Sequence, residues 1–143
     1  MFIKTIMYDD KLDEYSVKKE AELLMNASLY GFAPEVYNVI YEKNKARIVM
    51  EKIDGLTISE VYGTDSADVP QEIWEKILNI LNTLYNQEKV EYIDISPYNF
   101  MIKDGNIYII DFGHAYYINE NKEIDWFLKE FMDGDFCWNP DFK

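Results

Sequence analysis

The sequence predicts an α+β fold, in which short strands and amphipathic helices follow one another without a regular βαβ repeat. Three observations support this prediction. A strand, a helix and a hairpin occupy the first third of the chain, a long amphipathic helix begins after Pro70, and a second hairpin follows near residue 100. With 143 residues, the chain is predicted to be a single domain, with a small lobe at residues 1–53 and a large lobe at 54–143.

The small lobe is predicted from four segments. Residues 2–8 are rich in β-branched and aromatic side chains, so they favour a strand whose period of two directs Lys4 towards an apolar face. Apolar residues recur at helical spacing over 14–30, which predicts an amphipathic helix. The segments 35–41 and 46–51 are separated by turn-forming residues and predict a hairpin.

The large lobe is predicted to contain a central helix, a hairpin and a closing helix. Pro70 suits the first turn of a helix. Strands are predicted at 100–102 and 106–110, joined by a turn that contains Asp104-Gly105, and a helix is predicted at 124–132. The apolar stripe predicted for the central helix comprises Ile73, Trp74, Ile77, Leu78, Leu81, Leu84 and Tyr85.

Charge and cysteine content restrict the classes of partner and compartment. The chain has 27 acidic and 14 basic residues, a formal charge of −13, so direct nucleic-acid or anionic-membrane binding is disfavoured. Cys137 is the single cysteine and can form neither an internal disulfide nor a cysteine-based zinc site, and a packing function is favoured over a nucleophile. No apolar run is long enough to span a bilayer, and no signal peptide is evident. We therefore expect a cytoplasmic protein in a reducing compartment.

Three polar residues of the large lobe have the chemistry that phosphoryl transfer requires. Such a site needs a carboxylate that orients the attacking hydroxyl and accepts its proton, together with oxygen ligands for Mg²⁺. Asp94, Asn99 and Asp111 could supply these functions. The first two precede the predicted hairpin and the third follows it, so the hairpin would bring all three to one edge. The alternative is that Asp94 and Asn99 form turns around Ser96-Pro97 and that Asp111 begins another turn.

The order of these residues, D-x-x-x-x-N, a hairpin and then D-F-G, resembles the catalytic core of the protein-kinase-like superfamily. The motifs D-I-S-P-Y-N and I-Y-I-I-D-F-G-H-A are more similar to the atypical kinases of the RIO group and of the KEOPS complex than to ordinary regulatory kinases. The resemblance implies a minimal two-lobe fold, with a truncated small lobe and a truncated large lobe, and the use of ATP and Mg²⁺. It also implies that Asp94 is the catalytic aspartate and that Asn99 and Asp111 bind the metal.

Residues of the small lobe extend the resemblance. Lys4, in F-I-K, resembles the strand lysine that binds the α- and β-phosphates, and Glu20 resembles its ion-pair partner on the first helix. Met50 resembles the gatekeeper residue. Glu51 and Lys52 are similar to the hinge that binds adenine through its backbone.

The chain also departs from the kinase pattern. No glycine-rich G-x-G-x-x-G loop precedes Lys4, and Tyr92 and Ile93 replace the usual residues before the aspartate, so weak ATP affinity is expected. Asp125 could resemble the aspartate that braces the catalytic loop, or it could lie on a solvated helix face.

The resemblance implies an ATP-dependent phosphotransferase, with a serine/threonine protein kinase or autokinase as the leading function. A pseudokinase or decoy that binds a protein partner is the first alternative, and a small-molecule phosphotransferase of the aminoglycoside or choline type is the second. Because the first two strands of a full kinase are missing, residues 2–8 would form an exposed edge. A homodimer or a strand-completing protein partner is expected there.

Overall fold

The computed structural model describes residues 1–120 and 123–141 and confirms the α+β class. The chain divides into two compact units, Met1–Asp54 and Gly55–Lys143. The organisation as one kinase-like domain with lobes at 1–53 and 54–143 stays a prediction. Over the described ranges, no helix has both the length and the apolar character needed to cross a membrane.

The first unit is a three-stranded antiparallel sheet with one helix, as the sequence predicts. In chain order its elements are β1 (Phe2–Met7), α1 (Glu14–Leu29), β2 (Val36–Tyr41) and β3 (Lys45–Met50). The strand order is β1-β3-β2, so β3 is central and β1 is an edge of this sheet. Lys4 of β1 pairs with Ile48 of β3, which is fully buried.

The start of α1 is determined by Asp13. The Asp13 carboxylate accepts a hydrogen bond from the backbone N–H of Ser16 at 2.9 Å, the geometry of a helix N-cap. The same N–H, together with the Ser16 hydroxyl, lowers the pKa of Asp13 below its usual value. From this start, α1 buries Val17 and Leu24 on its inner face and packs on β2 and β3.

Among its described residues, the second unit contains two small antiparallel sheets and three α-helices. The sheets have the orders β4-β6-β7 and β5-β8. Its elements are β4 (Leu56–Thr57), α2 (Ile58–Tyr62), α3 (Gln71–Gln87), β5 (Val90–Glu91), β6 (Phe100–Lys103), β7 (Asn106–Ile109), β8 (Tyr116–Tyr117) and α4 (Trp126–Met132).

The helix α3 confirms the prediction of a central helix and provides much of the core of this unit. Its stripe is buried as predicted, except that Ile80 is buried while Leu78 and Tyr85 are only half-buried. Trp74 contacts Phe131 of α4 edge to face, with ring centroids 5.8 Å apart. The aromatic contact therefore joins the central and closing helices.

The predicted hairpin is confirmed as β6 and β7. Asp104 and Gly105 have positive φ angles of 52° and 80°, the conformation that the two central residues of a tight hairpin turn require. The turn sets the register, in which Phe100 pairs with Ile109. The closing helix begins at Trp126, two residues after the predicted start, because the side chain of Asp125 caps it.

The elements β4 and α2 are additions that the sequence patterns do not predict. Thr57 and Glu60 form a capping box, in which each side chain accepts a hydrogen bond from the backbone N–H of the other residue. Before this helix, β4 pairs with β6 and brings Gly55 against the backbone of Ile102. A Cβ atom on Gly55 would overlap the carbonyl oxygen of Ile102.

We therefore predict that Gly55→Ala lowers the free energy of unfolding by about 1–3 kcal/mol, because the added methyl overlaps backbone that cannot rotate away. Urea unfolding followed by circular dichroism measures this change. Asp54→Ala is the matched control, since Asp54 is exposed and should change stability by less than about 0.5 kcal/mol. Equal stability of the two variants would contradict the close approach.

Candidate active site

The segment between β5 and β6 forms a tight loop around Asp94. Asp94 is buried, with 7% of its surface exposed. Within the loop, the Ile95 N–H donates to the Ile93 carbonyl at 2.8 Å, and the Asn99 N–H donates to the Ser96 carbonyl at 3.3 Å. The second bond closes a turn over residues 96–99, as the turn interpretation of Ser96-Pro97 predicts, and the first closes a tighter turn at Asp94. They also fix its backbone, so the turn interpretation and the catalytic interpretation are compatible.

Asn99 is attached to the same loop through its side chain. Its amide nitrogen Nδ2 donates to the backbone carbonyl of Asp94 at 3.0 Å. Since this bond uses the nitrogen, the amide oxygen, which is the atom that a metal ion would require, lies on the other arm of the side chain. The bond to Asp94 therefore orients Asn99 as a candidate metal ligand.

Asp111 is brought to Asn99 by the β6–β7 hairpin. Asn99 directly precedes β6, Asp111 follows β7 after one residue, and the Ile110 N–H donates to the Asn99 carbonyl at 3.0 Å. One carboxylate oxygen of Asp111 accepts from the Gly113 N–H at 2.8 Å, so the side chain is held at the start of the D-F-G turn. The hairpin thus places both predicted metal ligands at one end.

Tyr92 supports the D-F-G segment from within the core. Its hydroxyl donates a hydrogen bond to the Asp111 carbonyl at 2.7 Å. Its ring contacts the Phe112 ring edge to face, with ring centroids 5.4 Å apart. From the sequence, Tyr92 is recognisable only as a replacement for the usual residue before the aspartate, and this function is not predicted. The available signal was an aromatic residue with a polar end two positions before Asp94.

Lys4 and Glu20, predicted as a pair, are joined in the first unit. The Lys4 Nζ atom lies 2.6 Å from Glu20 Oε2, which makes a charge-assisted hydrogen bond between β1 and α1. Only 8% of the Glu20 side chain and 25% of the Lys4 side chain are exposed. The lysine is therefore held in a defined position, while its contact with a phosphate stays a prediction.

The predicted hinge residues follow β3 in the same unit. Met50 is buried at the end of β3, where it pairs with Phe2 and Val36. The Glu51 N–H donates to the Glu35 carbonyl at 2.8 Å. Glu51 would therefore have to contact an adenine base through its carbonyl. The parts that Met50, Glu51 and Lys52 take in binding adenine stay predictions.

Two other residues have structural positions. The Asp125 carboxylate accepts from the backbone N–H groups of Phe127 and Leu128 at 2.9 and 3.1 Å, so it caps α4 instead of lying on a solvated helix face. Its own N–H donates to the buried carboxylate of Glu91 at 2.8 Å.

Burial raises the pKa of the Cys137 thiol, which keeps the thiol protonated and agrees with the prediction of a packing residue.

Comparisons with known proteins agree with this arrangement. The profile of the RIO domain family matches residues 6–132. The chain is 33% identical over 122 residues to a probable bifunctional tRNA threonylcarbamoyladenosine biosynthesis protein of Methanosphaera stadtmanae, a match that covers 82% of this chain and 22% of that protein.

Two further relatives have kinase or complex-subunit names. The EKC/KEOPS complex subunit BUD32 of Enterocytozoon bieneusi is 28% identical over 135 residues, covering 85% of this chain and 64% of that protein. Sperm motility kinase 2B of Mus musculus is 30% identical over 115 residues, a match that covers 78% of this chain and 23% of that protein. The chain therefore spans less than two thirds of the length of each of these relatives.

The position of Tyr92 leads to a direct prediction. Tyr92→Phe keeps the ring but removes the hydrogen bond to the Asp111 carbonyl, so the free energy of unfolding should fall by about 0.5–1.5 kcal/mol. Amide exchange at Phe112 and Gly113 should also become faster. Tyr98→Phe provides the control, because Tyr98 is half exposed. Identical exchange in the two variants would show that Tyr92 does not hold the D-F-G segment.

Proposed function

The chain belongs to the RIO domain family, whose members are atypical kinases and ATPases, and we propose that it transfers the γ-phosphate of ATP to a serine or threonine hydroxyl of a protein, its own chain included. One observation supports this proposal above the others. The β6–β7 hairpin brings Asn99 and Asp111 to one end, and Asn99 is bonded to the backbone of Asp94.

The residues at this end suit magnesium. Mg²⁺ prefers oxygen ligands and is usually held by one or two carboxylates together with waters and the phosphates of the substrate. Asp111 offers a carboxylate and Asn99 an amide oxygen. Within residues 1–120 and 123–141, no group of three or more histidine, cysteine or acidic residues could hold a metal ion alone. We infer that the ion would be held by this pair together with the nucleotide, where it would neutralise phosphate charge.

Asp94 is the proposed proton acceptor. Its carboxylate would hydrogen-bond the acceptor hydroxyl and orient the oxygen towards the γ-phosphorus of ATP. As the new oxygen–phosphorus bond forms, the bond to the β-phosphate oxygen breaks and ADP leaves, while the hydroxyl proton passes to Asp94. The local bonds on both sides of Asp94 would keep the carboxylate in place and reduce the entropy lost in the transition state.

Lys4 is the proposed phosphate contact of the first unit. An ammonium group held in place by Glu20 suits the α- and β-phosphates of a nucleotide. Backbone groups of Glu51 and Lys52, with Met50 beside them, are proposed to bind adenine. These assignments rest on the resemblance to kinases and on the Lys4–Glu20 pair.

A protein partner is proposed as well. One relative is named a subunit of the EKC/KEOPS complex, and β1 is an edge strand of its sheet with the exposed side chains Phe2, Ile3 and Met7. Exposed edges pair readily with other chains, so a second copy or another protein is proposed to bind there. The charge of −13 continues to disfavour direct contact with nucleic acid, and a cytoplasmic location is part of the proposal.

The proposal predicts a specific loss of turnover in Asp94→Asn. Removing a positioned proton acceptor should lower kcat for label transfer from γ-labelled ATP by about 10²–10⁴, because the hydroxyl proton then has no base. Nucleotide affinity should change little, since Asp94 is not a proposed phosphate or metal contact. Calorimetry with ATP and Mg²⁺ measures that affinity.

Asp104→Asn is the matched control, because it makes the same chemical change at an exposed turn residue. It should retain full turnover. Turnover that survives Asp94→Asn would remove Asp94 from the mechanism. Nucleotide binding without any transfer in the parent chain would favour the pseudokinase alternative, and transfer only to small alcohols would favour the small-molecule phosphotransferase.

A further inference from the structure

The segment that follows α4, residues 133–141, returns to the core of the second unit. Trp138 packs against Trp74 of α3, with ring centroids 4.5 Å apart, and stacks on Phe100 of β6 at 6.4 Å. The ring centroids of Phe136 and Phe131 lie 5.1 Å apart. These aromatic contacts fix the segment beside the base of the β6–β7 hairpin.

Asn139, the next residue after Trp138, contacts the backbone on both sides of Asp94. Its Nδ2 atom donates to the Ile93 carbonyl at 2.8 Å. Its backbone N–H donates to the Ile95 carbonyl, also at 2.8 Å. Its side-chain oxygen accepts from the Asp141 N–H at 3.1 Å, so both arms of the amide are hydrogen-bonded.

Burial makes these bonds significant. Asn139 is 3% exposed, and a buried amide without partners would cost about 1–3 kcal/mol. A segment that only covered apolar surface would need Trp138 and Phe136 but no buried amide. The polar side chain at 139 is therefore explained by the carbonyl that it reaches, which belongs to the residue before Asp94.

We propose that Asn139 is a positioning residue that holds the Asp94 loop in its productive conformation. Because the carbonyls of Ile93 and Ile95 are both hydrogen-bonded to Asn139, the peptide group that precedes Asp94 and the one that follows Ile95 are held together, so the backbone that carries the carboxylate is confined. Asn139 thus has the bracing function that the resemblance to kinases suggests for Asp125. This inference rests on the proposed function, in which Asp94 accepts the hydroxyl proton.

The test compares three variants of the full chain. Asn139→Asp has nearly the same shape but lacks the donor to the Ile93 carbonyl, and Asn139→Ala lacks the whole amide. Phe136→Leu is the control, because it weakens the packing of the same segment without a hydrogen bond to the loop. Thermal unfolding first establishes that each variant is folded at the assay temperature.

The kinetic readout is label transfer from γ-labelled ATP with Mg²⁺. Both Asn139 variants should lower kcat by about 10–100-fold while the KM for ATP stays within about twofold, because the loop and not the nucleotide contacts is disturbed. Phe136→Leu should keep its kcat. In an Asp94→Asn background, Asn139→Asp should cause little further loss of kcat, because a residue that acts only by positioning the Asp94 carboxylate has no effect once that carboxylate is gone. A full additional loss there would indicate a general structural effect and overturn the proposal.

Hydrogen exchange tests the brace without any activity. The amides of Ile95 and Asn99 should exchange at least about fivefold faster in Asn139→Asp than in Phe136→Leu. If the parent chain transfers no phosphoryl group from ATP, the proposed function is contradicted. The amide exchange rates would still decide whether Asn139 holds the loop. Normal kcat in both Asn139 variants, with transfer by the parent chain, would overturn the inference and leave the proposed function intact.

Discussion

The candidate site depends on the pairing of β6 with β7. Because the strands are antiparallel and the Asp104-Gly105 turn sets their register, the residue before β6 and the residues after β7 meet at one end. The hydrogen bond from the Ile110 N–H to the Asn99 carbonyl closes that end. A register shift of one residue would move the side chains to the opposite face and separate Asn99 from Asp111. A backbone constraint therefore places two side chains that are twelve positions apart in sequence.

Buried and half-buried polar side chains then stabilise the two loops that the hairpin brings together. The Tyr92 hydroxyl donates a hydrogen bond to the carbonyl of Asp111, and the Asn99 amide donates one to the carbonyl of Asp94. Asn139 donates hydrogen bonds to the carbonyls of Ile93 and Ile95, the residues on either side of Asp94. All of these bonds end on backbone oxygens, so they fix the path of the chain without using the carboxylates. The backbone of each of the two aspartates is thus held by neighbouring side chains. Such an arrangement suits a site that must bind a cation and orient a hydroxyl.

The parts of this structure that could be predicted are those with local or periodic signals. The helix α3 has an apolar stripe over more than three turns, and the β6–β7 hairpin has an Asp-Gly turn, so both are confirmed. The pairing of Lys4 with Glu20 was accessible only through the resemblance to kinases, because it joins a strand and a helix sixteen residues apart. The strand β4 has two residues, too few for a period, and its existence depends on Gly55 meeting Ile102 across the sheet. The contact of Asn139 with the Asp94 loop spans 46 residues and has no sequence pattern at all.

Asn99 and Asp111 are proposed to hold a divalent cation together with a nucleotide. Paramagnetic Mn²⁺, which accepts the same oxygen ligands as Mg²⁺, tests this through the amide signals of the isotopically labelled protein. With ATP present, small additions of Mn²⁺ should selectively broaden the signals of Asn99 and of residues 111–113. The broadening should weaken strongly in Asp111→Asn. Unchanged signals at these positions in the presence of saturating ATP, or equal broadening in Asp111→Asn, would contradict the claim.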